Sequence, residues 1–481
     1  MRLDIQPRSI SRRRALGIAA AGVAGSVGAA LAIDRLAVPT TPAATNPARW
    51  ASPLGGRRGL AAHLLRRSGF AYTTADLDRA AALSYDDLVD RVVSEVAAPL
   101  PEPTTALSHT AFSAAWYEHM ATTAAQFPER MTLFWHGVLT SDYRNAGPLP
   151  LVQQQNALYR GVGLSELRTV LRSVTRDPLM MRYLNLDSST AASPNENFAR
   201  ELMELFTLGP GSYTETDVRE AARALSGLRI QLFDASGTRL APPHRDPANR
   251  AAYGAQIDAL VRSGARFTGV LIPRLHDTAT KTILGRTGNL GPDDVVDVLL
   301  SRPECAPFVT RRAMTFFATP APSTSDVAAV ATQFRRSGYD MRTLMRAIFR
   351  SEAFTAPSGY RSLLRSPADY MVATMRVLRR PQLARLAVGA AAGMDQVLYD
   401  PPDVGGWPAN AGWVSSSALL ARLNFATAAL AQTPMLADPA EAVDTQLDGV
   451  LSGATSAAYH GAASRPDRWF ALLAGPEFQL K

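Results

Sequence analysis

The chain has 481 residues, of which 47% are hydrophobic and 19% are charged, and its formal net charge is +8. Residues 1–32 hold five arginines and one aspartate, so the rest of the chain carries only about +4. It has no basic run with interleaved aromatic residues, which argues against nucleic-acid binding. The single cysteine, Cys305, cannot form a disulfide within the chain, so stability must come from a hydrophobic core.

The first 32 residues have the pattern of an export signal. Arg12, Arg13 and Arg14 precede an apolar run rich in glycine and alanine, and Ala30 and Ala32 are small residues of the kind found at cleavage sites. Paired arginines before such a run predict a twin-arginine-type signal peptide over 1–32. The run is also long enough to anchor the chain in a membrane if it stays uncleaved. We therefore expect an exported protein of the cell envelope or the medium.

The rest of the chain reads mainly as helices. A linker rich in proline, alanine and threonine, 33–54, leads into helical patterns that predict one large all-α domain over 55–430 and a C-terminal helical extension over 431–481. Two alternating runs, 229–233 and 266–272, predict a minor β-hairpin within an excursion over 228–275.

The stretch 193–225 concentrates charged and amide side chains in two predicted helices. The first helix has an apolar face and a polar face, with Glu201 at the seam between them. The polar face holds Glu196, Asn197, Arg200 and Glu204. Thr214 and Asp217 have capping-box spacing and predict the start of the second helix. The polar face is either a solvated surface with Glu196/Arg200 and Arg200/Glu204 pairs or the wall of a polar cleft.

Other segments supply isolated candidates. Phe134-Trp135-His136 is an aromatic cluster with one imidazole, and His63 lies on the apolar side of its helix, where a core role is expected. The sequence Leu275-His276-Asp277 is followed by Lys281 four residues after the aspartate. The stretch 401–408, PPDVGGWP, is too dense in glycine and proline for a helix and predicts a rigid surface turn that carries Trp407.

Local motifs for most chemistries are absent. The sequence has no HExxH, cysteine cluster or calcium loop, so we expect no metal and no cofactor. A carboxylate metal site assembled from distant helices, with Glu201 and Glu204 beside His276 and Asp277, stays open as an alternative. There is no GxSxG elbow, phosphate loop or dinucleotide fingerprint. If the protein is an enzyme, acid–base chemistry by Glu201, Glu204, Asp217 or His276 is favoured.

Six blocks of sequence together resemble one bacterial family, domain of unknown function 1800. The blocks are HLLRRSGF at 63–70, FWH at 134–136, NENFARELMELFTLG at 195–209, YTETDVREAARALSG at 213–227, HDTATKTILG at 276–285 and PPDVGGWP at 401–408. The resemblance implies an exported, mainly helical protein that is often encoded beside a second exported family, which gives a candidate partner. It implies no established reaction.

The chain departs from the family pattern at three positions. Members often carry histidines where this chain has Val138 and Phe206, and a tryptophan where it has Leu228. The two missing imidazoles weaken any metal role that the resemblance would imply.

Two hypotheses for function follow. In the first, an exported envelope protein uses a polar cleft for acid–base chemistry on a glycan-like or other extracytoplasmic substrate. Its candidate catalytic residues are Glu201, Glu204, His276 and Asp277, and its candidate substrate-binding residues are Asn197, Arg200, His136, Lys281 and Trp407. In the second, the protein is a non-catalytic assembly or binding protein that works with a co-encoded exported partner.

Overall fold

Helices dominate the part of the chain that the structure, a computed structural model, describes, namely residues 52–101, 108–243 and 249–481. The predicted signal peptide and nearly all of the predicted linker lie outside these residues. The described residues all belong to one compact unit. The expected mainly helical domain with small sheets is confirmed.

The first half of the chain holds eleven α-helices among its described residues. They are α1 (Arg57–Ser68), α2 (Thr74–Ala81), α3 (Tyr85–Val93), α4 (His109–Thr122), α5 (Gln126–Val138), α6 (Tyr143–Ala146), α7 (Leu149–Val162), α8 (Leu167–Thr175), α9 (Pro178–Tyr183), α10 (Asn197–Glu201) and α11 (Glu215–Leu225). A π-helix, Leu202–Thr207, continues α10 without a break.

The strands follow α11 and form two small sheets. The first sheet contains β1 (Leu228–Phe233), β2 (Arg239–Leu240) and β3 (Arg266–Leu271) in the order β2-β1-β3, and α12 (Arg250–Arg262) lies between β2 and β3 in sequence. β1 pairs antiparallel with β3, with Leu228 opposite Leu271, so the two predicted runs do pair. The second sheet, β4 (Lys281–Ile283) with β5 (Arg286–Gly288), was not predicted because each strand has only three residues.

Helices then continue to the end of the chain. They are α13 (Pro292–Ser301), α14 (Cys305–Phe317), α15 (Thr324–Arg336), α16 (Met341–Arg350), α17 (Glu352–Thr355), α18 (Pro367–Val377), α19 (Ala384–Ala391), α20 (Ser416–Ala431), α21 (Ala440–Leu447), α22 (Gly453–Gly461), α23 (Arg465–Ala474) and α24 (Pro476–Gln479). Among the described residues, no helix combines the length and hydropathy needed to cross a membrane.

Two hydrophobic cores share helix α5. Phe127, Met131, Phe134 and Trp135 belong to the first core, with side chains from the N-terminal helices, the π-helix and α11, and α13 to α16. Leu133, on the same helix, belongs to the second core, with side chains from α4 and from α18 onward. Every residue from 127 to 136 is buried. The fold is therefore organised around α5 rather than around the stretch 193–225.

Capping bonds explain why α11 begins where it does. The Thr214 hydroxyl accepts a hydrogen bond from the Asp217 N–H at 3.2 Å, and the Asp217 carboxylate accepts one from the Thr214 N–H at 2.9 Å. The predicted capping box is therefore present. The same carboxylate also accepts the Leu284 N–H at 2.7 Å, which ties the start of α11 to the second sheet.

The π-helix changes the predicted pairing of charges in the central segment. The Leu208 N–H donates to the Met203 carbonyl five residues earlier, a spacing that alters the rotation between successive side chains. Arg200 contacts Glu196 at 3.3 Å and Glu215 at 2.7 Å. Glu204 instead accepts a hydrogen bond from the Tyr213 hydroxyl. The Glu196/Arg200 pair is thus present, whereas the Arg200/Glu204 pair is not, because the prediction assumed a regular α-helix.

Candidate ligand-binding site

A cavity of about 450 Å³ opens where α5 meets the loop 401–410 and the helix α14. Three kinds of residue line it. Aromatic rings supply most of the apolar wall, arginines and a lysine supply positive charge, and small or amide residues lie at the rim. The lining includes Arg130, Phe134, Gly137 and Val138 from α5, Phe308, Arg311, Arg312, Thr315 and Phe316 from α14, Trp407, Pro408, Ala409, Asn410 and Trp413 after the loop, and Lys481.

A glycine lets the loop approach α5 closely. Gly406 has φ +88°, in the left-handed region, and a Cβ at this position would lie 2.5 Å from the Gly137 carbonyl oxygen. Only glycine fits this contact without displacement of backbone. The Thr140 hydroxyl also donates to the Val404 carbonyl at 2.6 Å. The second glycine of the PPDVGGWP block, Gly406, is thus explained by the close approach of the loop that carries Trp407 to the end of α5.

His136 holds the loop from behind the cavity. It is 3% exposed, and its Nε2 accepts a hydrogen bond from the Tyr399 N–H at 3.0 Å. Burial lowers the pKa of His136 to about 3, so the ring stays neutral. Its ring lies 5.0 Å from that of Trp407. The structure therefore places Trp407 in the cavity wall and His136 beneath it, as a residue that positions the loop.

Buried charges flank α5 on both sides. Glu129 accepts hydrogen bonds from Arg160 at 2.5 Å and from the Trp116 indole at 2.8 Å. Although burial opposes ionisation, hydrogen bonds from His119 and Arg160 lower the pKa of Glu129 to about 2. On the other side, Asp369 is surrounded by three cations. These are Arg130 at 3.1 Å, Arg365 at 3.1 Å and Lys481 at 2.6 Å.

The four candidate catalytic residues form two separate groups. Glu201 and Glu204 lie beside the start of α11, where Tyr213 donates to Glu204. Asp277 lies at the other end of α11, where it pairs with Arg223 at 2.7 Å. From Glu215 to Arg223 the helix rises roughly 12 Å, at about 1.5 Å per residue. Within the described ranges, no hydrogen bond or ion pair joins one group to the other.

Glu201 is the member of the first group with a perturbed environment. Burial and the neighbouring Glu204 raise its pKa, while Arg200 opposes the shift. Burial also raises the pKa of Tyr183, with further contributions from Asp142, Asp403 and Glu201, so these acidic groups share one region. This region joins the π-helix to the PPDVGGWP loop. Raised pKa values are one feature of acid–base sites.

The second group is held in place by hydrogen bonds and an ion pair with neighbouring residues. The His276 Nδ1 lies 2.9 Å from the Ser226 carbonyl oxygen. The hydrogen bond from Arg223 lowers the pKa of Asp277 against the opposing effect of burial. Lys281 is buried and donates to the Asp277 and Ala279 carbonyls. These bonds hold the turn after β3 against the end of α11 and leave Lys281 without access to a substrate.

The remaining candidates and the predicted core histidine have local structural roles. Asn197 is exposed, and its N–H donates to the Asn195 side chain at 3.0 Å. Arg200 bridges α10 and α11 through Glu196 and Glu215. His63 is fully buried and its Nε2 lies 3.1 Å from the Phe354 carbonyl oxygen, as expected for a core histidine. Among the described residues, no group of three or more His, Cys, Asp or Glu side chains is placed to hold a metal ion.

The mainly helical fold and this cavity define a helical protein with a partly open, aromatic-lined cavity. The chain matches the model of the family described as a protein of unknown function, DUF1800, over residues 63–480, so it belongs to that family. The match also covers residues 431–480, where we predicted a C-terminal helical extension. Comparison with curated proteins and with solved structures found no match.

Several residues that line the cavity were not predicted from the sequence to belong to a site. Glu129 and Arg130 are adjacent charged residues within the otherwise mostly apolar run 127–135, and this was a usable signal for a buried polar role. Arg311 and Arg312 gave no comparable signal, because helices of this chain carry arginines on many exposed faces. Asn410 has φ +49°, and no sequence pattern indicated this conformation.

We predict that replacing His136 with glutamine, whose amide oxygen can still accept the Tyr399 N–H, will reduce the pH dependence of stability. The folded pKa lies near 3 and the ordinary value is 6.5, so the unfolded chain binds the proton more readily between these values. The wild-type protein therefore loses stability as pH falls below 6.5, by up to about 1.4 kcal/mol per pH unit from this group. Urea unfolding at several pH values should show a shallower decline for H136Q.

A matched control is H460Q, because His460 is exposed on α22. This variant should follow the wild-type curve. Parallel curves for wild type and H136Q would contradict the assignment of a buried, neutral ring to His136.

Proposed function

We propose that this protein is an exported binding protein that takes a small ligand into the cavity between α5 and the PPDVGGWP loop. The observation that carries the proposal is the convergence of two blocks, FWH and PPDVGGWP, on one cavity of about 450 Å³. This volume lies within the range of natural ligand sites, roughly 300–1,000 Å³. Sites of that kind are mostly apolar with a few convergent polar groups, which matches this lining.

The contacts of the PPDVGGWP loop support a role of this cavity in ligand binding. Gly406 allows backbone contact with α5, His136 fixes the chain at Tyr399, and Trp407 then contributes its ring to the wall. A surface turn with no role in binding would not need a buried histidine, His136, and a glycine with positive φ, Gly406, to fix the position of Trp407. The non-catalytic hypothesis therefore fits the site better than a cleft shared by Glu201 and Asp277.

A second function is favoured by the environment of Glu201. Its carboxyl group has a raised pKa, and among the described residues it has no hydrogen-bond partner, while its neighbour Glu204 is held by Tyr213. A π-helix spans the following residues, and such segments are frequent at functional sites. A protonated Glu201 could serve as a general acid on a glycan-like substrate.

We predict that the cavity binds a neutral apolar probe. N-phenyl-1-naphthylamine should show enhanced fluorescence with the wild-type protein and bind at least about tenfold more weakly to A409W, because the exposed Ala409 lies at the rim and an indole there would obstruct entry. A329W places the same ring on the exposed face of α15 and should bind as the wild type does. Unchanged binding by A409W would contradict the proposed site.

If the second function is correct, activity on glycans depends on the carboxyl group of Glu201. Purified protein incubated with bacterial envelope glycans should release products detectable by mass spectrometry, and E201Q should release none. Activity should fall as pH rises through the raised pKa of Glu201, because a general acid must be protonated. E352Q, which alters an exposed glutamate on α17, is the control. Equal product from E201Q would exclude this role.

Export is the remaining part of the proposal and rests on residues 1–32. We predict that changing both Arg12 and Arg13 to lysine will leave the protein inside the cell, because the twin-arginine route requires the arginine pair. Fractionation and immunoblotting would measure this. The double change of Arg2 and Arg8 to lysine makes the same substitution outside the pair and should leave export intact. Unchanged secretion of the Arg12/Arg13 variant would refute the route.

A further inference from the structure

The wall of the cavity carries an excess of positive charge. Arg130, Arg311, Arg312 and Lys481 line it, and none of the described lining residues is an aspartate or a glutamate. Lys481 is paired with Asp369 at 2.6 Å. Arg311 donates one hydrogen bond, to the Pro322 carbonyl at 3.0 Å, and has no ion pair among the described residues. The cavity therefore favours a ligand of negative charge.

Arg130 and Lys481 are the buried members of this set, and both contact the carboxylate of Asp369. The Arg130 side chain is fully buried, and its Nε and one terminal nitrogen make no hydrogen bond within the described structure. It lies 3.1 Å from Asp369, but that carboxylate is already shared with Arg365 and Lys481. One carboxylate thus faces three cations. Burial of uncompensated positive charge is costly, and an anion in the adjacent cavity would offset it.

Arg312 offers a second cation with no competing partner. It is half-buried, and in the described part of the chain it makes neither a hydrogen bond nor an ion pair. Its guanidinium lies over the Phe308 ring, 5.3 Å from the centroid. The contact with the ring orients the guanidinium while leaving its N–H groups free to donate. A guanidinium held in this way suits an acidic group that accepts two hydrogen bonds.

Aromatic rings complete the wall around these cations. Phe134, Phe308, Phe316, Trp407 and Trp413 line the cavity. Arg130 and Lys481 both lie over Phe316, at 4.9 and 5.6 Å from its centroid. The cavity thus combines a flat apolar surface with a cationic wall. An inorganic anion would use only the cations, whereas an amphiphilic organic anion would use both.

From these observations we infer that the cavity binds an organic acid with an aromatic or otherwise flat apolar body, whose acidic group is held by Arg312 in the positive field of Arg130. This inference rests on the proposed binding function and adds the chemical class of the ligand. It assigns to Arg312 the role of the residue that determines specificity for charge.

Two probes with the same aromatic body test it. 8-Anilinonaphthalene-1-sulfonate carries a sulfonate that N-phenyl-1-naphthylamine lacks. Wild-type protein should bind the sulfonate about tenfold or more tightly than the neutral probe, because charge-assisted hydrogen bonds add to the apolar contact. R312Q should lose this preference and keep its affinity for the neutral probe. R336Q, which removes an exposed arginine on α15 outside the cavity, should behave as the wild type does.

The possible outcomes separate the two proposals. If A409W weakens the binding of neither probe, the proposed binding function is wrong. If the neutral probe binds in the cavity and the sulfonate binds no better, or if R312Q keeps the preference, the cavity stands and the inferred ligand class is wrong. R130Q removes a fully buried side chain, so its folding is first checked by circular dichroism. A folded R130Q should also lose preference for the sulfonate.

Discussion

The structure depends on a helix that is buried along almost its whole length and yet carries adjacent opposite charges. Helix α5 (Gln126–Val138) separates two hydrophobic cores, with Glu129 paired to Arg160 on one side and Arg130 beside Asp369 on the other. Removing one partner of a buried pair costs roughly 3–5 kcal/mol, because the other charge is left uncompensated. The two pairs therefore fix the orientation of α5, and with it the face of the helix, at Phe134, Gly137 and Val138, that lines the cavity.

The site is assembled from elements that are far apart in the chain. Trp407 reaches the end of α5 across more than 250 residues because Gly406 permits backbone contact and His136 holds Tyr399. Arg312 comes from a helix of the first core, and Lys481 lies against Asp369 of the second. A ligand in this position would touch parts of both cores. The buried network beneath it supplies a positive field without being exposed to solvent.

Sequence patterns predicted those structural features that depend on residues close together in the chain or on simple periodicity. The capping box at Thr214 and Asp217, the pairing of 229–233 with 266–272 and the buried state of His63 depend on spacing and periodicity, and the structure confirms them. The π-helix was missed because an extra residue in a helical turn leaves no periodic signature over six residues. The convergence of Arg130, Arg312 and Trp407 depends on tertiary packing, so periodicity pointed instead to the charged stretch 193–225. Glu201 and Asp277 were predicted to share one cleft because both are acidic, whereas the structure places them at opposite ends of α11.

The position of the cavity has a consequence for how the molecule unfolds. Phe316 packs against both cores and also lines the cavity, so an occupant would form an additional bridge between the two cores. Such a bridge couples the melting of the two regions, since loosening either one would release the bound molecule. A molecule bound in the cavity would therefore stabilise both cores together, because it binds only when the residues that line the cavity are folded.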